Sequence, residues 1–299
     1  MMQHTISLAF QRAHSLKITK KSKLILLSDC HRGNNSYADD FSHNSIIYEH
    51  ALSDYYQNGF TYIELGDGIE LWENNKFSEI LASHKNVFDL LLKFHQRKRL
   101  YLIWGNHDMV FKNKKNVSKI LGSYFNKDTN KTEPLFKDLN YYESLELKIK
   151  DLEKTIFLMH GHQADFFNYY CWKLSRFLVR YLWKPLQLIG YNDPTSPAKN
   201  HKELIKVEKR IKKWIQHNKN QMVITGHTHR PRFPAPNELP YFNDGSCVHP
   251  KSITGLEIVA LEISLIKWET ITHKDGTVKI EKTIIEGPSP LSLYLKGEK

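Results

Sequence analysis

Cysteine is scarce in this sequence: there are 3 cysteines in 299 residues, and none of them forms a Cys-x-x-Cys pair. Cysteines so few and so far apart exclude a disulfide framework and favour reduced thiols. Long apolar runs are also absent, and a mean hydropathy of −0.51 excludes a protein with several membrane spans. The first residues hold only a short apolar patch and no secretory signal pattern. We therefore expect a reducing, cytoplasmic location.

Acidic residues are fewer than basic ones, 32 against 43, which gives a formal net charge of +11. This excess favours polyanionic partners, meaning nucleic acid, anionic lipid or a phosphorylated substrate, without choosing among them. With 40% hydrophobic and 25% charged residues, the composition is that of a globular protein and excludes disorder as the main state. The length fits one large domain or two small ones.

Short runs of apolar, often β-branched residues recur along the chain, and each run stops at a small or polar residue. Such runs are typical of buried strands that are followed by loops. Five of them cover residues 24–27, 62–65, 100–104, 155–159 and 222–225. We expect these five strands to deliver polar groups to one edge of a sheet.

Helix-like stretches lie between the early strands. One ends near Gly59 with Asp40 or Ser42 as its N-cap, and another covers residues 77–94. This alternation of strand and helix predicts an α/β protein. After Gly245 the pattern predicts strands alone, over residues 255–263, 265–270 and 277–285. We expect these strands to form a second sheet that packs on the first.

The stretch between the fourth and fifth predicted strands has an unusual composition. Residues 166–189 are typical of an aromatic-rich helix, residues 193–197 (Asp-Pro-Thr-Ser-Pro) end it, and residues 199–217 form a second, basic helix. Residues 166–219 include twelve lysines and arginines against three acidic residues. Most of the net positive charge therefore lies in a helical insert.

Polar side chains cluster at the carboxyl ends of the five predicted strands. The segments are Asp29-Cys30-His31, Gly66-Asp67-Gly68-Ile69-Glu70, Gly105-Asn106-His107-Asp108, His160-Gly161-His162 and Gly226-His227-Thr228-His229. Carboxylate, imidazole and amide oxygen form the mixed environment that divalent metals accept. In Asp-x-His and His-x-His both side chains share one face of an extended backbone, so each pair can serve one site. One such motif is usually only a turn, but five in this order predict a metal site.

The ordered set resembles the signature of the calcineurin-like metallophosphoesterase superfamily, which is D-x-H, G-D-x-x-[D/E], G-N-H-[D/E], a single His after a strand, and G-H-x-H. The resemblance covers residues 23–247. It implies a two-sheet β-sandwich core flanked by helices, here with a helical cap insert.

The resemblance also implies a set of metal ligands. The first metal ion would be held by Asp29, His31, Asp67 and His229. The second would be held by Asp67, Asn106, His160 and His227. Asp67 would then bridge two divalent ions. Manganese is the expected metal, with iron, zinc and cobalt as alternatives, because this ligand set accepts all four.

The resemblance assigns catalytic roles as well. His107 matches the family's catalytic histidine and Glu70 the acid that orients it, while Asp108 competes for the role of Glu70. Two metal ions about 3.5–4 Å apart would produce a bridging hydroxide that attacks phosphorus in line. His107 would stabilise the developing charge or protonate the leaving oxygen.

Two motifs resemble those of one particular group of enzymes within the superfamily. Gly-Asp-x-x-Glu-x-Trp over residues 66–72 and Gly-His-Thr-His-Arg-Pro over residues 226–231 are similar to the UDP-2,3-diacylglucosamine hydrolases of lipid A synthesis. Those enzymes cut a pyrophosphate beside acyl chains that are held under a helical cap. This implies a phosphorylated small molecule as substrate, lipid-linked or nucleotide-linked. His162 stands where those enzymes usually have Asp.

The first helix of the insert predicts a contact with an anionic membrane surface. Lys173, Arg176, Arg180 and Lys184 recur at steps of three and four residues and share one face, with apolar side chains beside them. Four charges exclude a membrane span, but an amphipathic helix in the interface keeps them at headgroup level. We therefore expect peripheral binding to the inner membrane face. The alternative is a basic face that is merely solvated.

The predicted organisation is a metallophosphoesterase domain over residues 18–287, a helical cap insertion over residues 163–219 within it, and a loosely held tail over residues 288–299. The leading function is hydrolysis of a phosphate ester or pyrophosphate bond. The basic insert leaves a metal-dependent nuclease or phosphodiesterase as an alternative. A catalytically dead binding module is a third reading, which the complete set of expected ligands disfavours.

Two further polar segments have two interpretations each. Asp165 could bind substrate or cap the first helix of the insert, and capping is preferred. Residues 243–246 (Asn-Asp-Gly-Ser) predict a turn, which could also line the site.

Overall fold

The computed structural model describes residues 2–126, 129–150, 154–183 and 201–295. Its strands follow the short apolar runs of the sequence. In chain order they are β1 His14–Ile18, β2 Lys23–Leu27, β3 Thr61–Glu64, β4 Leu100–Ile103, β5 Ser123–Asn126, β6 Lys131–Pro134, β7 Tyr141–Tyr142, β8 Ser144–Ile149, β9 Thr155–Met159, β10 Met222–Thr225, β11 Tyr241–Asn243, β12 Ser252–Val259, β13 Glu262–Thr272 and β14 Val278–Pro290.

These strands form two large sheets and one hairpin. The seven-stranded sheet has the order β14-β13-β12-β2-β3-β4-β7, and the five-stranded sheet has the order β1-β8-β9-β10-β11. Strands β2, β3, β4 and β7 are parallel to one another, as are β9, β10 and β11. Each sheet therefore presents several carboxyl strand ends along one edge.

Most of the α-helices cover the outer faces of the sheets, whereas the two short helices that begin the insert do not. The α-helices are α1 Met2–Gln11, α2 Ser45–Gln57, α3 Phe77–Ser83, α4 Lys85–Gln96, α5 Lys114–Leu121, α6 Phe166–Tyr170, α7 Trp172–Leu178 and α8 His201–His217. A π-helical turn, Val179–Trp183, continues α7. None of the helices in the described ranges is long and apolar enough to span a membrane.

Alternation along the strands divides the apolar side chains among three cores. In β2, Leu24 and Leu26 face the five-stranded sheet, whereas Ile25 and Leu27 face the core beneath α2, α3 and α4. A third core lies between the five-stranded sheet and the pair α1 and α8, and it includes Trp214. The result is a two-sheet sandwich with helices on both outer faces, which confirms the predicted fold class.

The predicted assignment of strands to sheets is wrong in one respect. The three C-terminal strands do not form the second sheet, because β12 pairs antiparallel with the free edge of β2, with Leu256 opposite Leu26. The second sheet consists of β1 and β8 to β11. The five strands that carry the motifs consequently belong to two sheets rather than one.

The predicted helices differ from the observed ones at their ends. Neither Asp40 nor Ser42 caps α2, whose N-cap residue is Asn44 without a side-chain bond to the helix. The single helix predicted over residues 77–94 is two helices that meet at His84, whose Nε2 lies 2.9 Å from Asp39 Oδ2. In the insert, α6, α7 and α8 lie in the predicted helical regions, and residues 184–200, with the predicted break, are outside the described residues.

Residues beyond both predicted domain boundaries share the same cores as the domain. Before residue 18, α1 packs on α8, and Ile6 is fully buried. After residue 287, the strand β14 ends in a short 3-10 turn, and Leu291 and Tyr294 are buried between the two sheets. The expectation of a loosely held tail is therefore wrong for residues 288–295.

Candidate metal centre

Backbone hydrogen bonds join the loops that follow the motif strands. In the seven-stranded sheet, Asp29 N donates to Gly66 O at 3.1 Å and His31 N donates to Asp67 O at 2.8 Å. In the five-stranded sheet, Gly226 N donates to His160 O at 2.9 Å. The loops from both sheets thus meet at one end of the sandwich, as the strand directions require.

Five residues of these loops hold left-handed backbone conformations although none of them is glycine. Asp29, His31, Asp67, His227 and His229 have φ between 47° and 68°. Such a conformation costs of order 1–3 kcal/mol for each residue and persists where the surrounding structure imposes it. Five of the seven predicted ligands therefore carry this conformation, which fixes the direction in which their side chains leave the loops.

One cluster of ligand atoms forms around Asp29. Its Oδ1 lies 3.1 Å from His229 Nε2 and 3.8 Å from His31 Nε2. Its Oδ2 accepts hydrogen bonds from His227 N at 2.8 Å and from Ser28 Oγ at 2.5 Å. The protein therefore fixes Oδ2, whereas Oδ1 faces the imidazoles of His31 and His229. The ligand atoms of these three residues lie close enough together to bind one ion.

A second cluster forms around Asp67. Its Oδ2 lies 3.1 Å from His160 Nε2 and 3.8 Å from His31 Nε2, and His227 completes the group. Its Oδ1 accepts a hydrogen bond from His107 N at 2.8 Å. Asp67 therefore lies between the two clusters, at the place where a bridging carboxylate would stand.

Four ligand atoms test whether the site fits a cation. Asp29 Oδ1, His31 Nε2, Asn106 Oδ1 and His160 Nε2 are buried, and within the described residues none of them makes a hydrogen bond of good geometry, although Asp29 Oδ1 and His160 Nε2 each lie 3.1 Å from an ion-pair partner in the cluster. Buried polar atoms without partners each cost about 1–3 kcal/mol, so their convergence calls for a missing partner. A mixed set of carboxylate, imidazole and amide donors fits a divalent first-row metal.

The opposite ring nitrogens of the candidate ligands are held by the protein. His160 Nδ1 lies 2.7 Å from Leu65 O, and His31 Nδ1 lies 2.8 Å from Glu70 Oε2. Such contacts fix the ring orientation and leave Nε2 free to bind a metal, as is usual for metal-binding histidines. The geometry therefore agrees with a preorganised site.

The electrostatics of the centre favour a cation. Burial alone would raise the pKa of Asp29, but His229 and His160 hold it well below its ordinary value. Burial would lower the pKa of His160, yet Asp67 and Asp29 raise it to about 9. The carboxylates thus attract positive charge strongly, and a bound metal would take the place of these protons.

Two residues hold the ring of His107: Glu70 contacts its edge at Nδ1, and Trp72 covers one face. Glu70 Oε2 lies 2.6 Å from His107 Nδ1 and 2.8 Å from His31 Nδ1. Burial opposes ionisation of Glu70, but the two histidines, His107 first, lower its pKa to about 2. The indole of Trp72 stacks on the His107 ring with centroids 4.2 Å apart and planes at 22°.

Asp108 does not contact His107. Its Oδ1 accepts a hydrogen bond from Gly105 N at 2.6 Å, and its Oδ2 accepts one from Gly68 N at 3.0 Å. Burial and the nearby Asp67 raise the pKa of Asp108 to about 7. The alternative in which Asp108 orients His107 is wrong, because its carboxylate ties two loops together instead.

Sequence reasoning missed a buried ion pair beneath the loops. Arg32 Nη2 lies 2.8 and 2.7 Å from the two oxygens of Glu64, and both residues are fully buried. Tyr62 Oη donates to Glu64 Oε2 at 2.8 Å and accepts from Tyr48 Oη at 2.8 Å. One signal was present in the sequence: Glu64 is a lone acid inside an apolar strand, and Arg32 directly follows the first motif.

The segment over residues 243–246 supports the loops from behind. Asn243 Nδ2 donates to Gly226 O at 2.7 Å, and Ser28 Oγ lies 2.7 Å from Asp244 Oδ1. Ser246 Oγ lies 3.3 Å from His229 Nδ1. The predicted turn is wrong, because Asn243 ends β11 and residues 244–246 form an irregular loop, but the segment does border the site.

The helical insert reaches the site at two points. Asp165 caps α6 by accepting hydrogen bonds from Phe167 N and Asn168 N, as preferred from the sequence, and its Oδ2 lies 3.4 Å from His227 Nε2. His162 is fully buried beside His160, and burial holds its pKa well below the ordinary value, so its ring is neutral.

The sandwich and its cluster of histidines, carboxylates and asparagine are typical of the metallophosphoesterase superfamily. The sequence profile of the calcineurin-like phosphoesterase family matches residues 22–231, and the chain belongs to that family. This confirms the resemblance to the superfamily. No curated protein matches the sequence.

Several solved structures are similar to this chain. Vacuolar Protein Sorting 29 from Cryptosporidium parvum is 15% identical with a TM-score of 0.40, covering 89% of this chain and 98% of that one. A predicted phosphoesterase from Streptococcus pneumoniae is 15% identical with a TM-score of 0.36, covering 88% and 97%. Wild-type Vps29 from Entamoeba histolytica complexed with Zn²⁺ is 16% identical with a TM-score of 0.38, covering 88% and 99%.

Proposed function

We propose that this chain is a binuclear metal-dependent hydrolase of phosphate ester or pyrophosphate bonds. The observation that carries the proposal is the pair of ligand clusters that share Asp67 and contain buried atoms without partners. The first ion would be held by Asp29, His31, Asp67 and His229, and the second by Asp67, Asn106, His160 and His227.

When bound, two divalent ions would supply a nucleophile derived from water and a Lewis acid for the phosphoryl oxygens. Manganese is the proposed metal, and iron, zinc and cobalt fit the same donors. Glu70 binds Nδ1 of His107, so Nε2 is the nitrogen that can protonate a leaving oxygen or stabilise charge on the phosphoryl group. Trp72 fixes the plane of that ring.

The apolar surface of the cap insert favours a lipid-linked substrate. Its described part exposes a continuous series of large apolar side chains: Phe166, Phe167, Tyr170, Leu174, Phe177, Leu178, Tyr181 and Leu182. Exposed apolar surface of this kind marks interaction sites for apolar ligands, proteins or membranes. Beside Lys173 and Arg176, it suits acyl chains below an anionic headgroup layer, so the proposed location is the cytoplasmic face of the inner membrane.

The nuclease alternative is weakened by how the basic residues of α8 are used. Lys206 lies 2.5 Å from Glu203, and Lys212 lies 2.6 Å from Glu208. Arg210 donates to Ala164 O at 2.8 Å and so joins the helix to the loop before α6. These charges are partly neutralised within the protein, and less of the basic surface remains for a polyanion.

A substrate panel tests the proposed function. Protein loaded with Mn²⁺ is assayed with p-nitrophenyl phosphate esters, a nucleotide diphosphate-sugar and single-stranded DNA. We expect hydrolysis of the esters or the pyrophosphate, loss of that activity after chelation, and loss in Asp67→Asn. Asp89→Asn is the matched control, because Asp89 pairs with Lys85 on α4, away from the site.

Two results would contradict the proposal. Hydrolysis that persists after chelation would show that the metal clusters do not carry the reaction. Cleavage of DNA alone, with a steep dependence on salt, would favour the nuclease.

A further inference from the structure

We propose that Arg180 of the cap insert is a positioning residue for His107. The inference rests on the proposed function, since it concerns the same reaction, but it makes a structural prediction of its own. Arg180 fixes the segment that carries Trp72, and Trp72 fixes the ring of His107. The helical cap and the catalytic histidine are thereby coupled.

The first link is a pair of hydrogen bonds from the cap to the loop after β3. Arg180 Nε donates to Trp72 O at 2.8 Å, and Arg180 Nη2 donates to Leu71 O at 2.6 Å. Bonds from a charged donor are stronger than bonds between neutral groups, and the planar guanidinium suits two adjacent acceptors. Along the sequence, Arg180 is separated from Trp72 by 108 positions and from Leu71 by 109.

The second link is the stack of Trp72 on His107. Trp72 is buried, and its ring lies nearly parallel to the imidazole at 4.2 Å. The backbone of the same segment is held from its other side, because Glu70 Oε1 accepts hydrogen bonds from Trp72 N at 3.1 Å and Glu73 N at 3.2 Å. Arg180 and Glu70 therefore hold this segment between them.

The two links together determine the orientation of His107. Glu70 fixes the edge of the ring at Nδ1, and the His31 ring packs edge-on against it with centroids 4.5 Å apart. Trp72 restricts rotation further by covering one face of the ring. If Arg180 is removed, the Leu71–Trp72 segment loses two charged hydrogen bonds, and the stack can shift while Glu70 remains in place.

Arg180 differs in this respect from its neighbours on the insert. Arg176 and Lys173 lie over the ring of Trp172, with the cationic group 5.0 and 5.9 Å from the centroid. Arg180 lies in the π-helical turn Val179–Trp183, and such turns often occur at functional sites. The expectation that all these cations share one face free for a membrane surface is therefore wrong for Arg180, and Lys184 is outside the described residues.

A kinetic test compares Arg180→Ala in two backgrounds, using an alkyl phosphate whose leaving oxygen needs protonation. In the wild-type background kcat should fall about tenfold to a hundredfold, as expected for a small displacement of a reacting group. In the His107→Ala background it should fall less than about twofold, because the two residues act as one unit. Equal losses in both backgrounds, or a change confined to KM, would overturn the proposal.

A spectroscopic test does not depend on activity. In Zn²⁺-loaded protein with labelled histidine, the ring signals of His107 are identified by their loss in His107→Ala, and the current of the Trp72 ring shifts them upfield. Arg180→Ala should move them towards their position in Trp72→Ala, and Arg180→Lys should move them less. Unmoved signals in Arg180→Ala would overturn the proposal.

The control for both tests is Lys209→Ala, which removes a positive charge from the exposed side of α8 and should change neither kcat nor the His107 signals. The two proposals fail in different ways. An inactive wild-type protein whose His107 signals respond to Arg180→Ala would contradict the function alone. An active protein with additive losses and unmoved signals would contradict the role of Arg180 alone.

Discussion

At the scale of single residues, His107 is the group whose role is most sharply defined. Its ring contacts Glu70 and Trp72, and one ring nitrogen lies within 4.8 Å of ligand atoms of His31 and Asp67, although His107 is not among the residues proposed to hold the ions. We expect His107→Ala to retain both metals and to lose turnover by about a hundredfold or more. The loss should be larger for alkyl esters than for p-nitrophenyl esters, whose leaving oxygen needs little protonation. Steady-state kinetics with elemental analysis measures both quantities.

The control for this variant is His95→Ala on α4, because His95 contacts the carbonyl of Lys137 and the ring of Phe136 and none of the candidate ligands. Equal losses for both classes of ester would show that His107 stabilises the phosphoryl charge and does not protonate the leaving group. Loss of metal in His107→Ala would place it among the ligands.

Close approach explains why particular glycines accompany the ligands. A Cβ at Gly105 would overlap the carboxylate of Asp67, and Gly161 has a φ of 119° that other residues rarely adopt. The motif pattern indicated the candidate ligands because their spacing is local. It could not predict the partners of Asp244 and Glu64, because Ser28 and Arg32 are brought to them only by the fold.

At the scale of elements, periodicity predicted which segments form strands better than it predicted which strands pair with each other. The strands predicted over residues 255–263 and 265–270 fall on β12 and β13, although the first runs through the turn at residues 260–261. Their sheet was not recognised, because pairing with the free edge of β2 is a long-range choice. Similarly, the division between α3 and α4 depends on the contact of His84 with Asp39, which no local propensity encodes. Tertiary contacts decided each of these cases.

The cap insert yields a prediction about membrane binding. Sedimentation with anionic vesicles, but not neutral ones, is expected, and salt should weaken it because the attraction is screened. The double variant Lys173→Glu with Arg176→Glu should abolish sedimentation while hydrolysis of a p-nitrophenyl ester is retained. Arg180 is left unchanged because it contacts the loop beside the site.

A charge-matched control uses two lysines that lie outside the cap insert. Lys274→Glu with Lys279→Glu makes the same change in net charge on exposed residues at the end of the β13–β14 hairpin. This variant should sediment as the wild type does. Equal loss in both double variants would show that only net charge matters, and binding to neutral vesicles would contradict an electrostatic contribution.

At the scale of the whole molecule, the C-terminal turn closes the core between the two sheets. Leu291 is fully buried there with Tyr294, whose ring packs on Phe242 at 4.9 Å. Leu291→Ala should lower the free energy of unfolding by about 2–4 kcal/mol, as truncation of a buried leucine does. Urea denaturation measures this change. Ile285→Ala is the control, because Ile285 is exposed on β14 and should cost about 0.5 kcal/mol or less. Equal small effects would show that the turn does not contribute to the core.

The two sheets are required together for the site, since Asp29, Asp67 and Asn106 follow strands of one sheet while His160 and His227 follow strands of the other. The metal content of the chain is therefore the most direct test of the central claim. Elemental analysis of protein loaded with Mn²⁺ should approach two ions per chain. Asp67→Asn should lower the occupancy of both sites together, and Asp89→Asn should leave it unchanged. A fully active wild-type protein with one ion per chain, or an Asp67→Asn variant that keeps two, would contradict the binuclear centre.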